Sequence, residues 1–455
     1  MRTAKMWTRI SLMAVIVLGG SSCTIRLASS DAGDPTGTGG GTETGGQTGL
    51  GEGGSGASGG TPGQGGSNAS GGTPGAGGSA TGAGGSASGG QPGTTGTGGV
   101  SATGGHAAAG ASGSGGTPAT GGTTGAGGTM GAGGAAGAPV VPKGPCDIYG
   151  SDGGPCVAAY STVRALYAAY NGKLYQLRRA DGTTHDVSVL SAGGFANGAD
   201  QDTFCGSSAC TISIIYDQSP RGNNLTKAPP GGAKTTGDNE ADAKALPVTI
   251  SGHKVYGEHN PIGVGYRNNK PSGTATADNP ETEYMITSGG YYNNGCCFDF
   301  GNMETTSRDD GEGTMEAIYF GNCTLWGKGS GSGPWVMGDL ENGLWAGNGS
   351  PYNGNTPVSY TYVTAMLKGD ATGKNHWAIK AGNAQSGALT KMFDGPRPSS
   401  RYNPMRKEGA IGLGTGGDNS NSAQGNFFEG VMTAAYSSDA ADDAVQANIV
   451  SVYGH

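Results

Sequence analysis

Residues 142–455 form short runs in which apolar residues alternate with small or polar ones, separated by stretches rich in glycine, asparagine and proline. This pattern is typical of strands buried on one face. KLYQLRR and HDVSVL, joined by ADGTT, predict a hairpin. Because strands do not alternate with helices, we expect an all-β sandwich. The other strand candidates are Thr211–Tyr216, TMEAIYFG, GPWVMGDL, VSYTYVTAML, HWAIKAG, EGAIGLGTG and FFEGVMTAAYSS.

Two segments have helical spacing. In Ala158–Tyr170 the apolar and tyrosine positions recur every three or four residues, which predicts a helix facing the core. The segment DAADDAVQANIVSVYG predicts a closing helix. A last strand followed by this helix, together with the run IIYDQSPRGNNL, resembles the concanavalin-like jelly roll. We therefore expect a β-sandwich of that type with few short helices, although fold alone does not give function.

The first 141 residues differ in composition and predict no core. Residues 1–22 place Arg2, Lys5 and Arg9 before a short apolar run and small residues, as in an export signal peptide. Cys23 then stands where bacterial lipoproteins are lipidated, although Gly20 replaces the usual bulkier residue. Residues 23–141 are rich in glycine, serine, threonine, alanine and proline and predict a disordered linker. We expect an exported protein, extracellular or held as a lipoprotein on the outer surface of a bacterium, with Cys23 as the candidate membrane anchor and 142–455 as the folded domain.

The charge and the motifs exclude several classes of protein. A net charge of -8 and a pI near 5.3 favour no nucleic-acid partner. The folded part has no GxSxG elbow, Walker motif or dinucleotide fingerprint. The histidines are scattered and form no metal-ligand spacing with a cysteine pair. We therefore expect no metal and no cofactor.

Four of the eight cysteines are spaced so that they could close short loops. Cys146 with Cys156 would close CDIYGSDGGPC, and Cys205 with Cys210 would close CGSSAC. Because export permits disulfides, we favour disulfides over metal ligation.

The adjacent pair Cys296 and Cys297 admits two interpretations. Bonded to each other, the two sulfurs would form a flat apolar surface suited to stacking against a sugar. Alternatively, each pairs elsewhere or both are buried thiols. Cys323 is then left over, and we expect it to be a buried thiol.

The segment WVMGDLENG carries two carboxylates two residues apart, Asp339 and Glu341. On a strand, such residues point to the same face, where their charges would repel and raise at least one pKa. Paired carboxylates perform acid–base and nucleophilic chemistry in sugar hydrolysis. The alternative is a strand that ends in an Asn-Gly turn with both acids solvated.

A second acidic site lies in GLGTGGDNSNSAQGNFFEG, where Asp418 follows two glycines. The neighbouring Asn419, Ser420, Asn421 and Gln424 could bind sugar hydroxyls, or DNSN could simply form an Asx-rich turn. Trp326 lies in a glycine-rich loop, where it is either a platform for a sugar or an anchor for the loop.

Longer segments of the chain, from about Gly144 to the C-terminus, closely resemble the catalytic domain of the family 54 α-L-arabinofuranosidases. The resemblance is carried, in order, by GPCDIYGSDGGPCVAAYSTVRALYAAYNGKLYQLRR, IIYDQSPRGNNLTKAPPGG, NNGCCFDFGN, METTSRDDGEGTMEAIYFGN, GPWVMGDLENGLW, YNPMRKEGAIGLGTGGDNSN and FFEGVMTAAYSSDAADDAVQANIV.

This resemblance implies a retaining, exo-acting hydrolase that removes terminal α-L-arabinofuranosyl groups from arabinoxylan, arabinan or related side chains. The family's nucleophile falls on Glu341 and its general acid/base on Asp418. The partners implied are arabinose-containing polysaccharides or oligosaccharides, and we expect a monomer. Family sugar contacts fall on Cys296, Cys297, Trp326, Asp339, Asn342 and Gly417, and family disulfides on Cys146–Cys156, Cys205–Cys210 and Cys296–Cys297.

Several expectations follow from these assignments. Because retaining glycosidases hold their two catalytic carboxyl groups roughly 5–5.5 Å apart, we expect that separation between Glu341 and Asp418. Asp418 should start protonated, its pKa raised by Glu341 and by burial, while Asp339 should hold a sugar hydroxyl and help to keep Glu341 ionised through shared hydrogen bonds. The family's C-terminal arabinose-binding module is not expected here, and Cys323 replaces a small polar residue. The competing function is a tethered lectin-like module that binds arabinose-containing glycans without cleaving them.

Overall fold

The structure, a computed structural model, describes residues 143–370 and 375–455. The predicted signal peptide at 1–22, the predicted linker at 23–141 and the candidate anchor Cys23 lie outside the described residues. Among the residues described, no helix is both long enough and apolar enough to cross a membrane.

Two antiparallel sheets and three α-helices make up the described part. The helices are α1 (Pro145–Ser151), α2 (Gly198–Cys205) and α3 (Asp439–Tyr453), and a 3₁₀ turn covers Ser400–Tyr402. The strands are β1 (Cys156–Ser161), β2 (Lys173–Arg179), β3 (Thr184–Ser188), β4 (Cys210–Ile215), β5 (Leu225–Lys227), β6 (Pro247–Ile250), β7 (His253–Tyr256), β8 (Glu258–Asn260), β9 (Tyr266–Asn268), β10 (Glu281–Thr287), β11 (Asp299–Met303), β12 (Glu316–Gly321), β13 (Trp335–Asp339), β14 (Leu344–Trp345), β15 (Val363–Asp370), β16 (His376–Asn383), β17 (Ser386–Pro396), β18 (Ala410–Leu413) and β19 (Gly425–Thr433).

The long sheet has the strand order β14-β13-β12-β11-β18-β9-β5-β4-β2-β3, and the short sheet has the order β1-β19-β10-β15-β16-β17, with β8 also paired to β19. The strands β6 and β7 form a separate hairpin. Buried side chains such as Phe300, Ile318 and Val336 from the long sheet join Leu367 and Val431 from the short sheet in one apolar core. The expected all-β sandwich is therefore confirmed.

A close contact between the sheets sets the position of β13. A methyl group built on Gly338 would lie 2.6 Å from the ring of Trp377 in β16, so this ring packs directly against the backbone of β13. This contact fixes the strand one residue before Asp339, where the candidate site begins.

The hairpin β2–β3, the predicted strands and the closing helix α3 are all present. The predicted helix Ala158–Tyr170 is wrong. Its first residues belong to β1, which pairs with β19, and the chain then turns because the Ser161 hydroxyl accepts the N–H groups of Val163 and Arg164. Val163 and Leu166 are buried as expected, but pairing with β19 and a local side-chain turn replaced the helix.

The described residues form three disulfides: Cys146–Cys156, Cys205–Cys210 and Cys296–Cys297. The first joins α1 to β1 and the second joins α2 to β4, with Cα–Cα distances of 5.5 Å and 5.8 Å. Cys323 is buried and takes part in none of the three.

Candidate active site

A tight hairpin turn between β13 and β14 positions Asp339 and Glu341. Asp339 pairs with Leu344, and the N–H of Leu340 donates to the carbonyl of Gly343 at 3.3 Å. Glu341 and Asn342, at the centre of the turn, have φ values of 60° and 58°. Two central residues with positive φ are what a type I′ hairpin requires. For a glutamate this conformation costs of order 1 kcal/mol.

The two interpretations of the Asp339–Glu341 spacing both need correction. The strand ends at Asp339, so Glu341 enters the site from the turn and does not share a strand face with Asp339. The turn is centred on Glu341 and Asn342, and its acids are not solvated, since Asp339 is only 6% exposed and Glu341 only 7% exposed.

Burial dominates the electrostatics of these two carboxyls. It raises the pKa of Asp339 to about 7, although the N–H of Glu341 donates to Oδ1 of Asp339 at 3.1 Å. Burial, and then the charges of Glu304 and Asp339, raise the pKa of Glu341 well above its usual value. The charge of Asp339 acts against ionisation of Glu341, so the expected support by Asp339 would have to come from hydrogen bonds alone.

The loop after β18 brings Asp418 to the same place. Asp418 is half-buried, and its Oδ1 accepts the N–H of Ser420 at 2.9 Å in an Asx turn. A methyl group built on Gly417 would lie 2.8 Å from Oε2 of Glu341, so the backbone next to Asp418 faces that carboxyl directly. The fold therefore joins the two acidic segments that the sequence presents separately.

The polar residues around Asp418 mainly hold its loop in place. Asn421 donates to Asp238 and to the carbonyl of Val264, and Gln424 donates to the carbonyl of Tyr292. The buried Asn419 accepts from Thr415. These amides, which the sequence suggested as hydroxyl ligands, thus serve first as loop anchors.

The bonded pair Cys296–Cys297 lies between Asp339 and the Asp418 loop. Sγ of Cys297 is 3.4 Å from Oδ2 of Asp339, and the N–H of Cys297 donates to the carbonyl of Ser420 at 3.4 Å. Ser422 donates its N–H to the carbonyl of Cys296 at 2.9 Å. Cys296 is partly exposed, so the disulfide presents one edge to the opening of the site.

Trp326 and Asn342 lie at the edge of this group. Trp326 is 36% exposed, and a methyl group built on the adjacent Gly327 would lie 1.6 Å from the carbonyl oxygen of Leu344. The Trp326 loop therefore packs against β14, beside the turn that holds Glu341. Asn342 is exposed and donates to Oδ1 of Asp309 at 3.3 Å.

Three further charged residues line the site, and the sequence did not indicate them. Asp299 and Glu304 are fully buried and lie close enough to Asp339 and Glu341, respectively, to influence the pKa values of these carboxyls. Burial and then the charge of Asp339 raise the pKa of Asp299. Arg267 donates to the main-chain oxygens of Gly416 and Glu304. Neither a periodic pattern of apolar residues nor a motif spacing in the sequence identifies these three residues, because only the fold brings them together.

One group within the described ranges has metal-ligand spacing, and it consists of Cys296, Cys297 and Asp339. Because the two sulfurs are bonded to each other, they have no thiolate to offer to an ion. This donor set does not fit a metal site.

A β-sandwich with buried, paired carboxyls beside a partly exposed disulfide and an exposed indole is the architecture of a carbohydrate-active protein. The family described as Alpha-L-arabinofuranosidase B, catalytic, matches residues 145–454, and the chain belongs to this family.

Relatives with known names and structures agree with this assignment. The chain is 58% identical over 319 residues to a probable alpha-L-arabinofuranosidase B of Aspergillus fumigatus, covering 69% of this chain and 62% of the relative. It is 57% identical over 321 residues to the alpha-L-arabinofuranosidase B of Aspergillus oryzae, a match that covers 69% of this chain and 63% of that relative. The chain thus spans less than two thirds of the length of these relatives. Both are fungal proteins and give no support to a bacterial lipoprotein.

A solved arabinofuranosidase complexed with arabinofuranosyl-alpha-1,2-xylobiose is also similar. It shares 53% sequence identity with this chain at a TM-score of 0.66, and the match covers 68% of this chain and 64% of that one. A GH54 α-L-arabinofuranosidase soaked with a cyclic sulfate inhibitor shares 54% identity at a TM-score of 0.65, with coverage of 68% and 65%.

Proposed function

We propose that this protein is a retaining, exo-acting α-L-arabinofuranosidase that hydrolyses terminal non-reducing α-L-arabinofuranosyl groups. Family membership and the relatives' names support the substrate class. The observation that carries the chemistry is the convergence of two acidic segments, because the backbone of Gly417, next to Asp418, faces Oε2 of Glu341. Arabinoxylan, arabinan and related side chains are the polymers that present such groups.

In the first step of this reaction, a carboxylate oxygen of Glu341 attacks the anomeric carbon of the arabinofuranosyl group. The glycosidic bond breaks, and its electron pair goes to the leaving oxygen, which takes the proton of Asp418. The result is an arabinosyl ester of Glu341 and a free alcohol.

In the second step, Asp418, now a carboxylate, takes a proton from water as the water oxygen attacks the same carbon. The ester bond breaks, its electron pair returns to Glu341, and Asp418 is protonated again. Two inversions give net retention, for which we predict a carboxyl separation of roughly 5–5.5 Å.

The other proposed contacts surround the sugar. Asp339, deep beside Glu341, accepts a sugar hydroxyl, and Asn342 donates from the turn. The main chain at Gly417 approaches the ring closely because no side chain intervenes. The Cys296–Cys297 edge supports the apolar face of the sugar, and the exposed ring of Trp326 packs against its rim.

We also propose the division of the chain into a signal peptide at 1–22, a linker at 23–141 and a catalytic domain at 142–455, with export to the extracellular side. Lipidation of Cys23 is a separate proposal. It rests on the position of that cysteine after the apolar run, and mass analysis of the N-terminal peptide from the native host tests it.

Hydrolysis of 4-nitrophenyl α-L-arabinofuranoside tests the function. The wild type should release 4-nitrophenol, and Glu341→Gln should lose at least about 10³-fold in kcat because the nucleophile is gone. Added azide should restore part of the release by replacing the nucleophile. Glu240→Gln, which changes a glutamate paired with Arg178 outside the site, is the control and should retain full activity.

Failure of the wild type to release 4-nitrophenol contradicts the proposal. If that inactive protein still binds the arabinofuranoside, and binding persists in Glu341→Gln, the lectin-like function is the correct one.

A further inference from the structure

A second carboxyl, Glu304, lies directly behind Glu341. It follows the end of β11 and is fully buried, and its Oε2 has no hydrogen-bond donor among the described residues. The backbone of Gly417 lies against both groups, since a methyl group there would be 1.9 Å from Oε2 of Glu304 and 2.8 Å from Oε2 of Glu341. Two carboxyls this close repel each other when both are ionised and form a hydrogen bond when one of them is protonated. The pair therefore holds one proton between its members.

The charges around the pair are mostly negative. Burial raises the pKa of Glu304, while its contact with Glu341, its other hydrogen bonds and the charge of Arg267 lower it. The same contact raises the pKa of Glu341, which by itself would place the proton on Glu341. Burial, and then the charge of Glu304, raises the pKa of Glu341. Both carboxyls thus resist ionisation, and the pair does not readily lose its last proton. The titratable groups that face the pair are Arg267, Asp299, Asp309, Asp339 and Asp418.

The surroundings favour the proton on Glu304. None of the ion pairs among the described residues includes Glu304, and the two terminal nitrogens of Arg267 donate to main-chain oxygens. The Thr314 hydroxyl lies 2.9 Å from Oε1 of Glu304 and 2.6 Å from the carbonyl of Gly311. Its single proton cannot serve both acceptors at once, so it supports a negative charge on Glu304 poorly.

Glu341 is the better place for the negative charge. It retains 7% exposure at the opening of the site, where water and sugar hydroxyls can reach it, whereas Glu304 has none. A charge that keeps some contact with solvent costs less than one that is fully buried.

We propose that Glu304 is a positioning residue that holds the proton of this pair and donates a hydrogen bond to the Glu341 carboxylate. The proposal rests on the hydrolytic function proposed above. In the first step, the other oxygen of Glu341 forms the ester, and the proton stays on Glu304. In the second step, the ester bond breaks, its electron pair returns to Glu341, and the O–H of Glu304 donates to the carboxylate that forms. Glu304 gains and loses no proton over the cycle.

Two substitutions separate this role from a structural one. Glu304→Gln keeps a hydrogen-bond donor but has no ionisable group. We therefore expect its kcat to stay within about tenfold of the wild-type value, and the acidic limb of the pH profile of kcat/KM to stay in place. Glu304→Met removes the donor, so the acidic limb should move upward by about one to two pH units, the worth of a hydrogen bond to a charged group. The Met variant should also accumulate the arabinosyl ester, visible in the intact-protein mass during turnover.

Glu258 offers a matched control. It is a fully buried glutamate in β8, neither of its carboxyl oxygens has a hydrogen-bond partner among the described residues, and burial raises its pKa to about 8. Glu258→Gln and Glu258→Met should leave the acidic limb unchanged. Thermal unfolding of all four variants shows whether each is folded.

Two results would overturn the proposal. A downward shift of the acidic limb in Glu304→Gln would place the proton on Glu341. Equal losses of kcat in the Gln and Met variants, without a shift of the acidic limb, would show a structural role only. If the Met variant does not fold, Glu304→Gln alone still decides which carboxyl holds the proton. A wild type without hydrolytic activity would instead contradict the function proposed above.

Discussion

Gly417 leaves the space in which the acidic side chains of the site meet. Its Cα faces Oε2 of Glu304 and Oε2 of Glu341, and the next residue is Asp418. Any side chain at this position would occupy the volume of those carboxyl oxygens. The glycine is therefore required by close approach, and no positive φ is involved.

Gly417→Ala should consequently abolish most activity. The methyl group must displace Glu304 or Glu341, so we expect kcat to fall by at least about 10²-fold, as misplacement of a reacting group by about 1 Å does. Gly232→Ala is the matched control, because a methyl group there would lie 3.6 Å from Cβ of Asp418, an ordinary contact. Similar kinetics for the two alanine variants would contradict this account.

The spacing of Asp339 and Glu341 indicated the site but gave the wrong geometry. Strand alternation placed the two acids on one face, whereas a turn with φ near 60° places Glu341 beyond the end of the strand. The assignment of Asp418 and of the sugar contacts required the family resemblance. Glu304, Asp299 and Arg267 could not be predicted, because their role depends on contacts between β9, β11 and two loops that are distant in sequence.

At the scale of elements, most of the predicted strands are runs of apolar and small residues bounded by turn formers. The longest strand, β17, and the seven-residue β10 were not predicted, because SGALTKMFDGP and ETEYMIT contain no such run. Strands of three residues, such as β5, β8 and β9, are too short to show a period, and they were missed. The helix predicted at Ala158–Tyr170 failed for a different reason, since β19 offered β1 a partner along its whole length. Tertiary pairing then outweighed local helical spacing.

The short strand β9 matters more than its length suggests, because Arg267 lies at its centre. Its guanidinium joins the carbonyl of Gly416, in the Asp418 loop, to the carbonyl of Glu304 at the end of β11. Nε donates to Oδ1 of Asn269 at 2.7 Å. One buried side chain thus holds the Asp418 loop to the segment that carries Glu304.

Arg267→Lys should lower kcat by about 10²-fold and reduce the melting temperature, because an ammonium group cannot reproduce the planar fork that spans both carbonyls. Steady-state kinetics and calorimetry measure the two effects. Arg178→Lys, at a half-exposed arginine 3.3 Å from Glu240, should change neither. If Arg267→Lys keeps wild-type kinetics, the bridge does not set the geometry of the acids.

At the scale of the whole molecule, the core is contained in the family-matched region. Core residues run from Cys146 to Tyr453, and the family match covers 145–454. The helix α1 belongs to this unit, since Tyr149 is fully buried with its ring 6.4 Å from that of Tyr284, and Cys146 is bonded to Cys156. The composition of the first 141 residues predicts that this unit starts near Pro142, because glycine-rich sequence cannot supply buried apolar surface.

A protein that begins at Pro142 should therefore melt within about 2 °C of the full chain, because the described core residues all lie from Cys146 onwards. It should hydrolyse 4-nitrophenyl α-L-arabinofuranoside with the same kcat. A second truncation that begins at Val157 is the control. It removes α1, the Cys146–Cys156 bond and Tyr149 from the core, so we expect it to lose several kcal/mol of stability and to aggregate or unfold at a clearly lower temperature. Calorimetry of the three proteins under the same conditions decides the matter. A large drop already at Pro142 would mean that the first 141 residues stabilise the catalytic unit.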